Sequence, residues 1–400
     1  MIDRPPVYVV AAVRTPIGKF GGALASCTAV DLGTAAAKAV VERAGLRSDQ
    51  IQEVIFGHGR QAGCGPNPAR QVSHNAGIPD STPAFTVNKA CASSLKAITL
   101  AAASIWTEGH DIVLAGGMES MSNTPYLLRR ARFGYRLGHD QVEDGMYTDG
   151  FMCPLCNSLM GATAENLVDQ YEISRLEQDE YALESQHRAM AAMTAGKFDS
   201  EIVPVTVRHR KGNVVVQQDE HPRAHSTLEG LSRLKAVFKT DGSVHPGNSS
   251  GITDGAAALI LVSEEAVRRH TLRPMARLVA YTTAGVDPAY MGIGPVPSLR
   301  KIAELTGVQP TDIDLIELNE AFAVQVLACR RDLGLDAERI NVNGGSIALG
   351  HPIGATGARI TTTLLHELVR RGVRYGASTL CVSGGMGMSI LFERVDPTDF

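Results

Sequence analysis

The sequence predicts an α/β protein, and three observations carry that class. Short β-branched runs alternate with helical patterns in the first third of the chain. The same alternation returns, element for element, in the last third. Between the two series lies a long stretch of different character, rich in Arg, His, Asp and Gly and irregular in its hydrophobicity.

In the first series the periodicity gives a strand over Val7–Val13, a helix over Asp31–Ala44 stopped by Gly45, and a strand over Glu53–Gly57. A helix near Pro68–Ala76, a strand over Ala84–Asn88, a helix opening at Cys91 and a strand over Asp111–Ala115 follow. The second series reads strand Ala276–Ala284, helix Pro297–Thr306, strand Asp314–Leu318, helix Glu320–Leu333, strand Ile340–Asn343, helix Gly354–Arg371 and strand Ser378–Val382. Even a turn after the fourth strand recurs, as Gly116-Gly117-Met118 and as Gly384-Gly385-Met386. The second copy closes at once with a strand over Met388–Glu393, whereas its counterpart, Ala256–Val262, comes only after the long stretch. An ancient duplication with an insertion in its first copy accounts for this order. The halves are residues 1–121 with 251–272, and 273–400; the insertion, 122–250, is expected to fold over the site rather than into the core.

A chain of 400 residues exceeds the usual size of one hydrophobic core, in line with that division. Hydrophobic residues at 44% and charged residues at 20% describe a globular chain, not a disordered or fibrous one. The net charge of -4, with no basic block, RNA-binding aromatic set or zinc spacing, argues against nucleic acid as the main ligand, and no metal site is expected. No apolar run reaches the roughly 20 residues of a membrane span. Residues Met1 to Pro6 lack the pattern of a signal or transit peptide, and the last residues are no peroxisomal signal, so a cytoplasmic location is expected. Seven cysteines then read as reduced thiols, each to be judged by its surroundings.

Ligands of open α/β sheets gather beyond the carboxyl ends of the strands. Four reactive side chains fall there: Cys91, Asn319, His351 and Cys381. If the copies pack about a pseudo-twofold axis, the helices that follow Cys91 and His351 bring their N-termini together. Cys91 opens an apolar helix with Leu95, Ile98, Ala102 and Ile105 at helical spacing, and a thiol at a helix N-terminus is expected to have a lowered pKa and to act as a nucleophile. The plain alternative is an inert buried thiol. His351, in Gly350-His-Pro-Ile-Gly-Ala-Thr-Gly357, sits in a glycine-rich turn that admits a ligand or another backbone; alone it is equally a helix cap. Cys381 precedes Ser383-Gly-Gly-Met-Gly387, a turn able to aim backbone N–H groups at an oxygen, and by itself reads as core.

Taken together, Val87-Asn-Lys-Ala-Cys-Ala-Ser-Ser94, Gly116-Gly-Met-Glu-Ser-Met121, Asn319-Glu-Ala-Phe-Ala323, Gly350-His-Pro-Ile-Gly-Ala-Thr-Gly357 and Cys381-Val-Ser-Gly-Gly-Met-Gly387 closely resemble the thiolases, the acetyl-CoA C-acyltransferases. The resemblance implies a thiolase-like fold of two duplicated βαβαβαββ halves with an inserted loop domain, and a homodimer or homotetramer. It implies that His351 takes the proton of Cys91, which becomes acylated by an acyl-CoA, and that Cys381 removes the α-proton of a second acetyl-CoA. His351 and a water on Asn319 would stabilise the enolate, and the backbone N–H groups of Cys91 and Ser383 the tetrahedral intermediate. Serine at 383, where some relatives carry glycine, leaves that main-chain role unchanged.

By the same resemblance Arg223 serves the nucleotide phosphates, Ser250 the pantetheine amide, and Met160, Phe238 and Phe322 the apolar passage. Coenzyme A is then a substrate, and no cofactor is implied. One departure stands out: Leu159-Met-Gly-Ala-Thr-Ala-Glu-Asn166 has leucine where acetoacetyl-CoA-type members have histidine, which puts strict two-carbon specificity in doubt. Cys153-Pro-Leu-Cys156 has redox-motif spacing without a thioredoxin-like context, so two incidental thiols are the simpler reading. A decarboxylating 3-ketoacyl synthase would carry histidine or asparagine where Cys381 stands, and a non-catalytic acyl-CoA binder would have lost reactive positions.

Overall fold

The computed structural model describes residues 4–210 and 212–396. The extreme termini, on which the expected location partly rests, lie outside them. The first half contributes strands β1 (Val7–Arg14), β2 (Glu53–Gly57), β3 (Ala84–Val87), β4 (Ile112–Ser120) and β5 (Thr253–Ser263), and helices α1 (Ala29–Arg43), α2 (Pro68–Asn75) and α3 (Ser93–Thr107). The intervening segment carries α4 (Met160–Tyr171), α5 (Arg175–Thr194) and a hairpin of Val205–His209 with Gly212–Val216. The second half contributes β6 (Ala276–Gly285), α6 (Pro295–Thr306), β7 (Leu315–Leu318), α7 (Ala323–Leu333), α8 (Ser346–Leu349), α9 (Thr356–Arg371), β8 (Tyr375–Val382) and β9 (Met386–Arg394).

The strands form one path, β7-β8-β9-β6-β1-β5-β4-β2-β3. The order on one side of the β6–β1 junction mirrors the other, as a duplication requires. β2 is parallel to β3 and β4, and β7 is parallel to β8; the pairs nearer the junction are antiparallel. Within the sheet the described strands of the two halves pair at Tyr8 with Arg277 and Val9 with Ala276.

Both faces of the sheet are covered, so its strands read as continuous apolar runs. Along β1, Val7 and Val9 point into the layer of α3 and α9, while Tyr8 and Val10 point toward α1, the period-two alternation of a strand. Leu32, Ala36 and Val40 of α1 cover the first half. Leu95, Ile98 and Ala102 of α3 meet Ile360, Leu364 and Leu368 of α9 in the middle. Leu299, Val326 and Leu333 of α6 and α7 cover the second half. The described elements therefore stack as helix, sheet, helix, sheet, helix.

Four local expectations are corrected. α3 begins at Ser93, two residues after Cys91, because Ala90 adopts a left-handed φ of 47° that no helix continues through. Gly116 and Gly117 lie inside β4, paired with Ala258 and Ala257, so only Gly384 and Gly385, at φ 86° and 81°, form the turn. The expected strand at 340–343 shrinks to one parallel bridge, Ile316 with Ile340, since Asn341 is left-handed and the Asn343-Gly344-Gly345 turn follows. α7 and α9 start at Ala323 and Thr356, later than Glu320 and Gly354, and leave the preceding residues free to line the site.

The inserted segment is tied down by a buried charge cluster. Arg14, the last residue of β1, is fully buried and makes two hydrogen bonds to Asp219 (2.7 and 2.8 Å) and one to Glu201 (2.6 Å). Removing one partner from such a cluster typically costs about 3–5 kcal/mol, because the remaining charge stays buried.

Candidate active site

Cys91 stands on an elbow between β3 and α3 rather than on a helix. The Asn88 side chain accepts from the Ala90 N–H (2.9 Å) and donates to the Gly59 carbonyl (2.9 Å). Ser93 Oγ accepts from the Lys89 N–H (2.9 Å) and donates to the Ala90 carbonyl (2.6 Å). These bonds hold Ala90 in a conformation that costs a non-glycine residue roughly 1–2 kcal/mol.

The N-termini of α3 and α9 meet, as the sequence implies. The Ala358 N–H donates to Ser94 Oγ at 2.9 Å, and a Cβ on Gly357 would lie 2.4 Å from the Leu95 nitrogen, so only glycine fits this crossing. His351 lies in the turn just before α9, buried, with Nδ1 2.6 Å from Thr356 Oγ1. The Thr356 hydroxyl gives its one proton to the Pro352 carbonyl (3.0 Å), so its oxygen accepts from Nδ1–H and the Nε2 lone pair is left free. Burial, reinforced by Arg359 and Arg60, pushes the imidazole down to about 3, which keeps it neutral.

The expected lowering of the Cys91 pKa is overturned. Burial pushes its thiol above the ordinary value; the Ser383 N–H, the Arg60 guanidinium and the N–H of Cys91 itself act the other way without prevailing. The two N–H groups nonetheless converge on the sulfur, where an oxyanion on an attached carbon would form. Cys381, at the end of β8, is buried, and its thiol is raised well above the usual range by burial and then by the charge at Cys91.

A cavity of about 800 Å³ contains Cys91, His351, Cys381 and Ser383 in its wall, together with Leu159, Met160, Arg223, Phe238, Ser250 and Phe322. Every expected site residue except Asn319 therefore faces one space. Phe238 and Phe322 meet edge to face at 6.4 Å, while Arg223 is exposed. Asn319 is buried behind the wall. Its Oδ1 accepts from Ser346 Oγ (2.6 Å), which in turn accepts from Arg359 (2.6 Å), and its amide nitrogen has no protein partner. That free donor suits a bound water.

Residues that the sequence reading passed over organise the rest. Glu119, at the end of β4, accepts from the N–H groups of Gly59 (3.1 Å), Arg60 (3.1 Å) and Gly354 (2.8 Å), and lies 3.2 Å from His58 Nε2. One carboxylate thus ties the loop after β2 to the His351 turn. Despite complete burial its pKa is lowered, as His58, Arg60 and the Gly354 N–H outweigh desolvation. Its place in Gly116-Gly-Met-Glu-Ser-Met121 was the available signal. Thr356 likewise stood in Gly350-His-Pro-Ile-Gly-Ala-Thr-Gly357, whereas Arg60 carries no signal outside the fold. The thiols of Cys153 and Cys156 interact, with Cys153 buried in a short hairpin whose Met152 pairs with Leu159.

Two family models match: thiolase, N-terminal domain, over residues 7–265, and thiolase, C-terminal domain, over residues 272–394. The chain is 51% identical to an acetyl-CoA acetyltransferase of Escherichia coli K12 over 97% of its own length and 99% of the relative's. It is 48% identical to a probable acetyl-CoA acyltransferase of Staphylococcus aureus N315, with the same coverages. The structure superposes on the Bacillus anthracis acetyl-CoA acetyltransferase with a TM-score of 0.96 at 47% identity, covering 98% of this chain and 99% of that one. Against human mitochondrial 3-ketoacyl-CoA thiolase the TM-score is 0.95 at 44% identity, with the same coverages.

Proposed function

The chain belongs to the thiolase family, and from that premise we propose how its cavity performs the acyl transfer. The enzyme is an acyltransferase that joins two acyl-CoA thioesters by reversible Claisen condensation, or cleaves a 3-ketoacyl-CoA with coenzyme A. The observation that carries the residue assignment is that two thiols and one neutral imidazole share a single cavity although they are distant in the chain.

His351 Nε2 takes the proton of Cys91, and the thiolate attacks the acyl carbonyl carbon. The oxygen becomes negative between the N–H groups of Cys91 and Ser383. Collapse breaks the carbon–sulfur bond, and CoA leaves with the proton from the imidazolium, so acyl-Cys91 remains. In condensation Cys381 takes the α-proton of acetyl-CoA, whose enolate is held by His351 and by a water on Asn319, and the carbanion displaces Cys91. In cleavage the order reverses, and a protonated Cys381 is the form needed to quench the departing carbanion. Its raised pKa favours that form.

Coenzyme A enters as substrate, with Arg223 toward its phosphates, Ser250 toward the pantetheine, and Leu159, Met160, Phe238 and Phe322 along the apolar passage. No other cofactor takes part. The enzyme acts as a homodimer or homotetramer in the cytoplasm, in fatty acid metabolism; among the described residues no helix is long and apolar enough to cross a membrane.

Peptide mass spectrometry after exposure to acetyl-CoA tests the assignment. Acetyl on Cys91 is expected, with Cys91→Ala inactive in both directions; acetyl elsewhere and none on Cys91 overturns it. Cys381→Ser should still acylate Cys91 while turnover falls about 10²–10⁴-fold.

A further inference from the structure

We infer that Arg60 makes this cavity selective for acyl groups that end in a carboxylate. The inference rests on the thiolase reaction proposed above and names its substrate class.

Arg60 lines the cavity that holds Cys91, yet the residue is only 5% exposed. Its Nε and Nη2 are buried without a hydrogen-bond partner, and its side chain forms no ion pair among the described residues. Nη1 therefore carries the guanidinium's open surface. The group is clamped in place: it lies over the Phe151 ring at 5.1 Å, and a Cβ on Gly150 would come within 1.9 Å of Nη2. Its backbone N–H donates to Glu119, the carboxylate whose other oxygen accepts from Gly354 in the His351 turn. Burial lowers its pKa, so the free enzyme bears a desolvation cost that no contact in the protein offsets fully.

The nearby acids do not serve as its partner. Both oxygens of Glu119 are taken up by the backbone of residues 59, 60 and 354 and by His58. Asp144 and Asp149 act on Arg60 only at a distance, and Asp149 is exposed. Nor is thiolate formation a sufficient reason for the charge. Arg60 favours the anion at Cys91 but disfavours the imidazolium at His351, so proton transfer between the two gains little from it. An anionic end on the acyl chain has no such opposing effect, and it brings the acceptor oxygens that the guanidinium lacks. The chemistry at Cys91 is unchanged: the bond between the α and β carbons of the 3-ketoacyl-CoA breaks, acetyl-CoA leaves with a proton, and the fragment kept on sulfur carries the carboxylate until CoA accepts it.

The test is thiolysis of 3-ketoacyl-CoAs of matched chain length ending in methyl or in carboxylate, by wild type, Arg60→Met and Arg60→Lys. Wild type should prefer one carboxylate-ended length over its methyl partner. Arg60→Met should lose on the order of 10²-fold or more in kcat/KM on that substrate alone, with partial rescue by lysine. Equal losses on both series would assign Arg60 to the reacting centre and overturn the selectivity. A wild type that cleaves only methyl-ended substrates overturns it too, even if the variants do not fold, and leaves the thiolase reading intact. Cleavage of neither series would sink that reading itself.

Discussion

Replacing Thr356 with valine preserves the size of the side chain and removes the one acceptor that orients His351. In the wild type the hydroxyl receives Nδ1–H at 2.6 Å inside a buried turn. Leaving a buried donor unpaired costs about 1–3 kcal/mol, and the imidazole recovers part of that by rotating or by moving its proton to Nε2. Either escape removes the lone pair that must face Cys91. Since about 1.36 kcal/mol is a factor of ten in rate, kcat/KM should fall roughly 5- to 150-fold. Thr356→Ser keeps the hydroxyl and should stay within about threefold of wild type. Acetoacetyl-CoA thiolysis, followed by loss of substrate absorbance, measures both variants. A valine variant as fast as wild type, with the serine variant equal to both, would refute the assigned tautomer.

Cys91, with its thiol raised by burial, should react with iodoacetamide at a rate still climbing above pH 9, and a plateau near neutrality would restore a depressed thiol. Gly357→Ala places a methyl 2.4 Å from the Leu95 nitrogen, so the melting temperature and thiolysis should fall together; unchanged melting would mean that the helices separate without loss. Glu317, fully buried, is raised to about 8, above its unfolded value, so its contribution to stability is complete at low pH and is lost as pH rises toward 8. Wild type should therefore lose more thermal stability than Glu317→Gln between pH 5 and 8.5, and parallel curves would exclude the effect.

The duplication was legible because both halves bury their strands on two faces, and periodicity reports burial. Cys91, His351 and Cys381 were legible because strand ends locate sites in this architecture. Most of what escaped was set by partners distant in sequence; the elbow before Cys91 is the local exception. The elbow at Ala90 is imposed by Asn88 and Ser93, so a helix read through Cys91 from apolar spacing began two residues early. Desolvation depends on how completely the second half covers the thiol, which no local pattern records, and it reversed the sign expected from the helix terminus. Glu119 stood in the Gly116–Met121 motif, but its three backbone donors lie 60, 59 and 235 positions away. Arg60 resembles a surface arginine until the segment around Gly150 and Phe151 folds over it.

The fastening of Arg14 to Glu201 and Asp219 constrains traffic through the enzyme. A roof anchored to the end of β1 by a sealed cation cannot swing clear on each turnover without stranding that charge. Acyl thioesters must consequently enter and leave through the mouth the cavity already has, so the shape of that mouth, and not a hinge, sets which tails are admitted.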